Sequence, residues 1–196
     1  VLEAEPELGF LHTGIEKQTE QLFWQQAVTV IDRADYLAPL SNSLCYVLTV
    51  EKLLGIDNIP KRAQVLRVIF TELTRIASHL VWLGTHALDL AAMSVFLYCF
   101  REREYLLDIF ELVSGARMMT SYIRPGGVAL EPPRGWQKVV AKFLNSFPSK
   151  IDEYDELLEN NPIWLDRTKG VGYISLEDML DLGVTVLGGK KHELVL

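Results

Sequence analysis

Four short stretches gather residues whose types and spacing can do chemistry. Thr85–Asp89 reads THALD and places His86 and Asp89 three positions apart, on one face of a helix. A carboxylate in so apolar a setting is costly unless paired, which makes the two a candidate proton relay. A structural Asp–His hydrogen bond accounts for them equally well. Asp32–Tyr36, DRADY, packs two carboxylates, a guanidinium and a phenol into five residues. Arg33 can supply fixed positive charge and Tyr36 a hydroxyl for a polar headgroup. The alternative is a solvated turn with a local ion pair worth ~0–1 kcal/mol. Gly115–Gly127, GARMMTSYIRPGG, sets Arg117 and Arg124 beside Gly126 and Gly127. Guanidinium donors in such a loop can wrap a redox centre or an anion, or the arginines simply stabilise a buried structural loop. His12–Lys17, HTGIEK, opens a helix whose free amides favour negative charge, here Glu16. Alone it reads as a plain helix start.

The elements that must position these residues are almost all helices. Apolar periodicity predicts helices over Glu16–Ile31, from Ser41 or Asn42 as N-cap to Gly55, and from Pro60 through Leu83 and beyond. In the third, Arg62, Arg67, Glu72, Arg75 and His79 form the polar face. Leu80–Phe100 holds only His86 and Asp89 as groups that carry charge near neutral pH and has the ~20 residues a bilayer span needs. It is read as two buried helices joined near Met93–Ser94, because a mid-membrane Asp costs about 2.5–3.5 kcal/mol. The next helix runs to about Val113, with Arg101, Glu102, Arg103, Glu104 and Asp108 outward. Shorter helices are expected over Gln137–Asn145, from Ser149 (with Asp152 as a capping box) to Leu158, and over Leu176–Leu182 behind Ser175. Strand signal is confined to the first ten residues. The expected plan is one partial domain: 1–10 a β remnant, 14–113 a helical core, 114–136 an irregular loop, 137–185 short helices, and 186–196 an atypical tail.

Composition excludes several classes. The 196 residues carry 19 Lys and Arg against 26 Asp and Glu, a net charge of −7 that argues against nucleic acid as a partner. At 49% apolar the chain is not disordered. Cys45 and Cys99 are the only cysteines, far apart in apolar stretches, so they read as buried free thiols. No metal-ligand spacing is present. No P-loop, G-x-G-x-x-G or G-x-S-x-G occurs, so nucleotide binding lacks a motif. The opening VLEAEPELGF, without Met, points to a fragment, and the ending GVTVLGGKKHELVL to a truncation or frameshift.

Taken in order, GFLHTGIEK, DRADYLAPLSN, VEKLLGI, HLVWLGTHALDL, FREREYLLDIFELVSGARM, YIRPGGV and RTKGVGY resemble the 49-kilodalton, or D-type, subunit of proton-pumping NADH:quinone oxidoreductase, respiratory complex I. The resemblance implies a mainly α fold, a multi-helix core related to the nickel–iron hydrogenase large subunit. It implies quinone as substrate, with Tyr36 and Asp89 in quinone binding and His86 and Asp89 in proton relay. It places Thr13, Arg33 and Met119 near a 4Fe–4S cluster carried by a partner subunit. Further implied partners are other peripheral-arm subunits and a membrane-arm subunit at the quinone entrance. The implied location is a peripheral membrane complex, on the cytoplasmic side of a bacterial inner membrane or the matrix side in mitochondria. Many members have Arg where this chain has Thr13, and His where it has Met119; the family's other headgroup ligand is a His upstream of Val1. Two alternatives stand beside this reading: a hydrogenase-like large subunit of a related membrane-bound complex, against which the missing C-x-x-C pairs speak, and a non-catalytic structural remnant.

Overall fold

A computed structural model describes residue 3 and residues 5–183. Its elements are α1 (Ile15–Thr19), α2 (Trp24–Ile31), α3 (Pro39–Leu54), α4 (Lys61–Asp89), α5 (Met93–Ser114), a hairpin of β1 (Ile123–Arg124) and β2 (Gly127–Val128), α6 (Trp136–Leu158), α7 (Pro162–Thr168) and α8 (Leu176–Asp181). The fold is mainly α.

The centre is a helical hairpin. α4 and α5 are joined by three residues, Leu90–Ala92, and fold back on each other. On α4, Leu66, Phe70, Leu73, Ala77, Leu80, Gly84 and Ala87 are buried at alternating four- and three-residue steps. On α5 the matching row is Val95, Cys99, Glu102, Leu106, Ile109 and Val113. A repeat near 3.5 residues keeps both rows on one seam, as in coiled coils. Gly84 lets the helices come close: a Cβ there would sit 3.3 Å from Cys99 Cβ and 3.4 Å from Phe96 Cα. No helix among the described residues is long and apolar enough to cross a membrane.

α3 packs on α4 and β1, and α6 on α5. Trp136, Val140, Phe143, Phe147, Tyr154 and Leu158 continue one stripe along α6. The hairpin pairs Ile123 with Val128 and Arg124 with Gly127. Its turn is Pro125-Gly126, with Gly126 at φ 88°, the order a type II turn asks for.

Several expectations change. No strand forms in the described part of 1–10: Pro6 and Gly9 interrupt it, and no second strand is there to pair with. The β structure lies instead inside the RPGG loop. The first helix is two, because the Gln26 side chain accepts from Phe23 N–H at 3.1 Å and starts a new one. α3 begins at Pro39, suited to a first turn, so Ser41 and Asn42 lie inside it. The two helices expected around Ser149 are one, since the α6 stripe carries the helix through Pro148. Ser149 therefore bonds back to the Ser146 carbonyl at 2.8 Å instead of capping. α7 is an addition, capped by Asn161 ahead of Pro162. Cys45 is exposed, whereas Cys99 is buried in the seam, which pushes its thiol up to about 11. The tail 186–196 lies outside the described residues.

Candidate functional site

Three groups of polar residues are held by this frame. The DRADY stretch ends α2 and turns into α3. Asp32 is fully buried there, where the sequence alone allowed a solvated ion pair. It accepts hydrogen bonds from Ser43 Oγ, from Ser121 N–H at 2.7 Å and from Ser121 Oγ at 3.2 Å. Burial pushes its carboxyl above the ordinary value, with the Ser121 bonds and Arg33 acting against that. Arg33 points out and donates to the Thr29 carbonyl. Tyr36 is 57% exposed, and its hydroxyl has no hydrogen-bond partner among the described residues. Tyr46, Tyr122 and Tyr154, by contrast, each donate to a backbone carbonyl.

Tyr36 stands at a narrow cleft between α3, α4, α5 and the loop after α5. Thr74, Arg103, Met118 and Thr120 line it, with Leu40 and Phe110 as its apolar walls. The loop reaches the cleft in a strained form: Met119 and Ser121 have φ of 51° and 45°. Asp32 holds the Ser121 end of it. Arg117 also lines the cleft but is tied to Asp108 at 2.6 Å and to Glu104, with Glu111 at 3.9 Å.

Below the hairpin, Glu51 and Arg67 form a buried two-point ion pair, with contacts of 2.6 and 3.0 Å. Arg67 also donates to the carbonyls of Gly127 and Arg124, and Glu51 accepts from Gly126 N–H at 2.8 Å. Desolvation opposes the Glu51 carboxylate, but the Arg67 guanidinium and the Gly126 amide outweigh it and hold its pKa below the ordinary value. Arg124 itself is exposed and bonds the Ser121 carbonyl at 3.2 Å.

The THALD stretch ends α4. Asp89 is exposed in this chain, and no hydrogen bond joins it to His86 among the described residues. His86 is half-buried, stacked on Trp82 with centroids 5.6 Å apart and edge-on to Trp164 at 6.1 Å. Thr74 at the Tyr36 cleft and Asp89 are fifteen residues apart on α4, about 22 Å at ~1.5 Å each, so Tyr36 and Asp89 belong to different levels of the helix. Thr13 lies exposed before α1, its carbonyl accepting from Gln18 at 3.4 Å. Met119 is half-buried in the strained loop beside Met118. The structure brings Tyr36, Arg117 and the Met119 loop to one region and leaves Thr13 and the His86–Asp89 end outside it. Among the described residues no group of His, Cys, Asp or Glu side chains is arranged to hold a metal ion.

Asp32, Glu51, Arg67, Glu102 and Arg103 are interior residues that sequence reading missed. Glu102 and Arg103 were expected on the outer side of α5, and Arg67 on the outer face of α4; all three are buried. The signal was position: Glu102 falls on the Val95–Val113 seam whatever its type.

The respiratory-chain NADH dehydrogenase 49 kDa subunit family matches this chain over residues 89–188. A D-type NADH-quinone oxidoreductase subunit of Solibacter usitatus is 69% identical over 185 residues, 94% of this chain and 45% of that protein. A D-type subunit of Chloroflexus aurantiacus is 63% identical over the same shares. The D-type subunit of Geotalea uraniireducens is 56% identical over 92% of this chain and 46% of its own length. The chain therefore spans about half the length of these relatives. The match extends through α5, the Met119 loop, the hairpin and α6, and the relatives extend it back over α4 and the DRADY turn, so the chain belongs to the 49-kilodalton, or D-type, subunit family of NADH-quinone oxidoreductases.

Proposed function

We propose that this chain forms part of one wall of the chamber in which a proton-pumping NADH:quinone oxidoreductase reduces quinone. Electrons that enter from NADH and pass along iron–sulfur clusters reach the quinone beside this wall, and the chain's own role is to hold the headgroup and supply protons. A quinone that gains two electrons takes up two protons, so the task needs a hydroxyl donor at the headgroup and an acid that can reach it through a proton relay. Tyr36 donates to a headgroup oxygen. Asp89, with His86 one turn before it, serves the protonation. Arg33, Thr13 and Met119 face a 4Fe–4S cluster held by a neighbouring subunit, and Arg117, Arg124, Gly126 and Gly127 shape the loop region behind them. The helical core shares its plan with the nickel–iron hydrogenase large subunit. Its partners are the cluster-bearing and other peripheral-arm subunits and a membrane-arm subunit at the quinone entrance, on the cytoplasmic or matrix side of the membrane.

The observation that supports this most directly is the uncommitted Tyr36 phenol. It stands exposed beside a cleft, in a family whose members are subunits of an NADH-quinone oxidoreductase. In the intact complex, Tyr36→Phe is expected to raise the apparent quinone KM about fivefold, the loss of one hydrogen bond of ~1 kcal/mol. NADH oxidation by an artificial acceptor should stay at the wild-type rate. Asp89→Asn should leave cluster reduction by NADH intact and lower quinone turnover. Equal loss of both activities in Tyr36→Phe would make Tyr36 a folding residue and sink the reading.

A further inference from the structure

Beside Tyr36, three buried polar atoms on three different elements lack a partner among the described residues. Arg103 of α5 is 8% exposed, and its Nε has no hydrogen bond among the described residues. Its remaining contacts are weak: Nη2 lies 3.9 Å from Met118 Sδ, and the guanidinium carbon sits 5.8 Å from the Phe100 ring centre. Thr74 Oγ1 of α4 is buried without a partner, and so is Thr120 Oγ1 of the loop after α5. All three residues line one cleft. Buried donors are paired in nearly all native structures, and a buried guanidinium without a carboxylate is the costlier case. Every other arginine buried or half-buried here has an acidic partner: Arg67 has Glu51, Arg101 has Glu102 and Glu153, and Arg117 has Glu104 and Asp108. Thr120 is also placed there against backbone preference, between two residues at positive φ, by the hydrogen bonds of Asp32 to Ser121. A strained loop kept in position around unpaired donors has the form of a binding site.

We propose that this cleft binds a carboxylate, with Arg103 supplying the charge and the Thr74 and Thr120 hydroxyls the further donors. The cleft is open at its mouth, and the space inside that a water-sized group can occupy, about 10 Å³, matches a single oxygen atom. A carboxylate enters with one oxygen inside and the other at the mouth, and a quinone ring does not fit. The site adjoins the headgroup position proposed at Tyr36, which also lines the cleft, but the Tyr36 hydroxyl is not one of the three donors. The same chemistry has two sources, a small free acid or an acidic side chain of a polypeptide packed over the mouth.

The test is the melting temperature of the purified chain, kept in a mild non-ionic detergent, with sodium formate against sodium chloride at equal ionic strength. Ligands that bind only the folded state raise Tm by mass action. Formate at about 100 mM should raise it by about 2–4 °C over chloride. Arg103→Met should melt higher than wild type in chloride, since it removes an unpaired buried charge, and should lose the formate shift. A purely structural arginine gives the reverse baseline. Should Arg103→Met fail to fold, Thr74→Val with Thr120→Val keeps the guanidinium, and loss of at least half the formate shift supports the site. A blocked tripeptide with central Glu, set against its Gln counterpart, separates the sources. A Glu-specific shift identifies a polypeptide side chain, and a shift with formate alone identifies a free acid. No formate shift in the wild-type chain, or an equal shift in Arg103→Met, overturns the proposal; the shift is read on the chain without quinone, so the result stands apart from the quinone reading.

Discussion

Asp32 and Ser121, 89 residues apart in sequence, are joined by a 2.7 Å hydrogen bond from the Ser121 amide to the Asp32 carboxyl. The bond fixes the end of α2 to the strained loop behind α5, and Ser43 on α3 shares the same carboxyl. One buried acid thus ties three segments together, all of them beside Tyr36.

The first prediction concerns the titration of this acid. Its folded pKa is raised by burial, so its contribution to stability is fully present below the unfolded value near 3.8 and is lost as pH rises through the folded pKa. Asp32→Asn mimics the protonated form and should flatten the stability curve in that window, as read from urea midpoints between about pH 4 and 7. Asp32→Ala should cost about 1–3 kcal/mol for each donor left buried and unpaired. An Asn variant with wild-type pH dependence would place the slope elsewhere.

Glu51 should titrate in the opposite sense. Its pKa is lowered, so its contribution is present above the unfolded value near 4.5 and is lost as pH falls through the folded pKa. Glu51→Ala leaves Arg67 buried without a counter-charge, at an expected cost of about 3–5 kcal/mol. Because Glu51 and Arg67 bond Gly126, Gly127 and Arg124, hydrogen exchange should speed up in the 123–128 hairpin first. Unchanged protection there would detach the pair from the hairpin.

Ala91 offers a gain. It connects α4 to α5 at φ 70°, a left-handed position that costs a non-glycine residue roughly 1–2 kcal/mol. Glycine gives back part of that in unfolded-chain entropy. Ala91→Gly should therefore stabilise the chain by about 0.5–1 kcal/mol in denaturant titration, and a loss of stability would mean that the Ala91 methyl group has packing value.

Much of the fold was legible. The α4 seam follows from spacing alone, and Ser175 carries ordinary helix-start chemistry, whereas the Asn161-Pro162 start of α7, just as ordinary, was passed over. What went unread was polar residues in apolar positions. Arg67, Glu102 and Arg103 were assigned outward by type, although Glu102 sits on a seam position. The burial of Arg67 depends on Glu51, sixteen positions away, which no local pattern reveals. Asp32 looked like half of a turn ion pair because its partners lie 11 and 89 positions away. Of the candidate site, Tyr36 was readable as a free hydroxyl. The cleft beside it was not, since it is made by Thr74, Arg103 and Thr120 from three elements.

The glycine at the α4–α5 contact bears on the order in which the chain folds. Gly84 lies against Phe96 and Cys99, so this close helix contact spans only about a dozen residues of chain. Closing so short a loop loses little entropy, whereas the Asp32–Ser121 tie encloses 89 positions. Local contacts of this kind form early on the way to the native state. The α4–α5 hairpin is the natural nucleus, with the Tyr36 region docking on it last. Gly84→Ala should accordingly slow refolding, while Asp32→Ala, which removes the acceptor of the Ser121 amide, should chiefly speed unfolding. The part of the molecule that carries the proposed sites is then also the part assembled latest and released first.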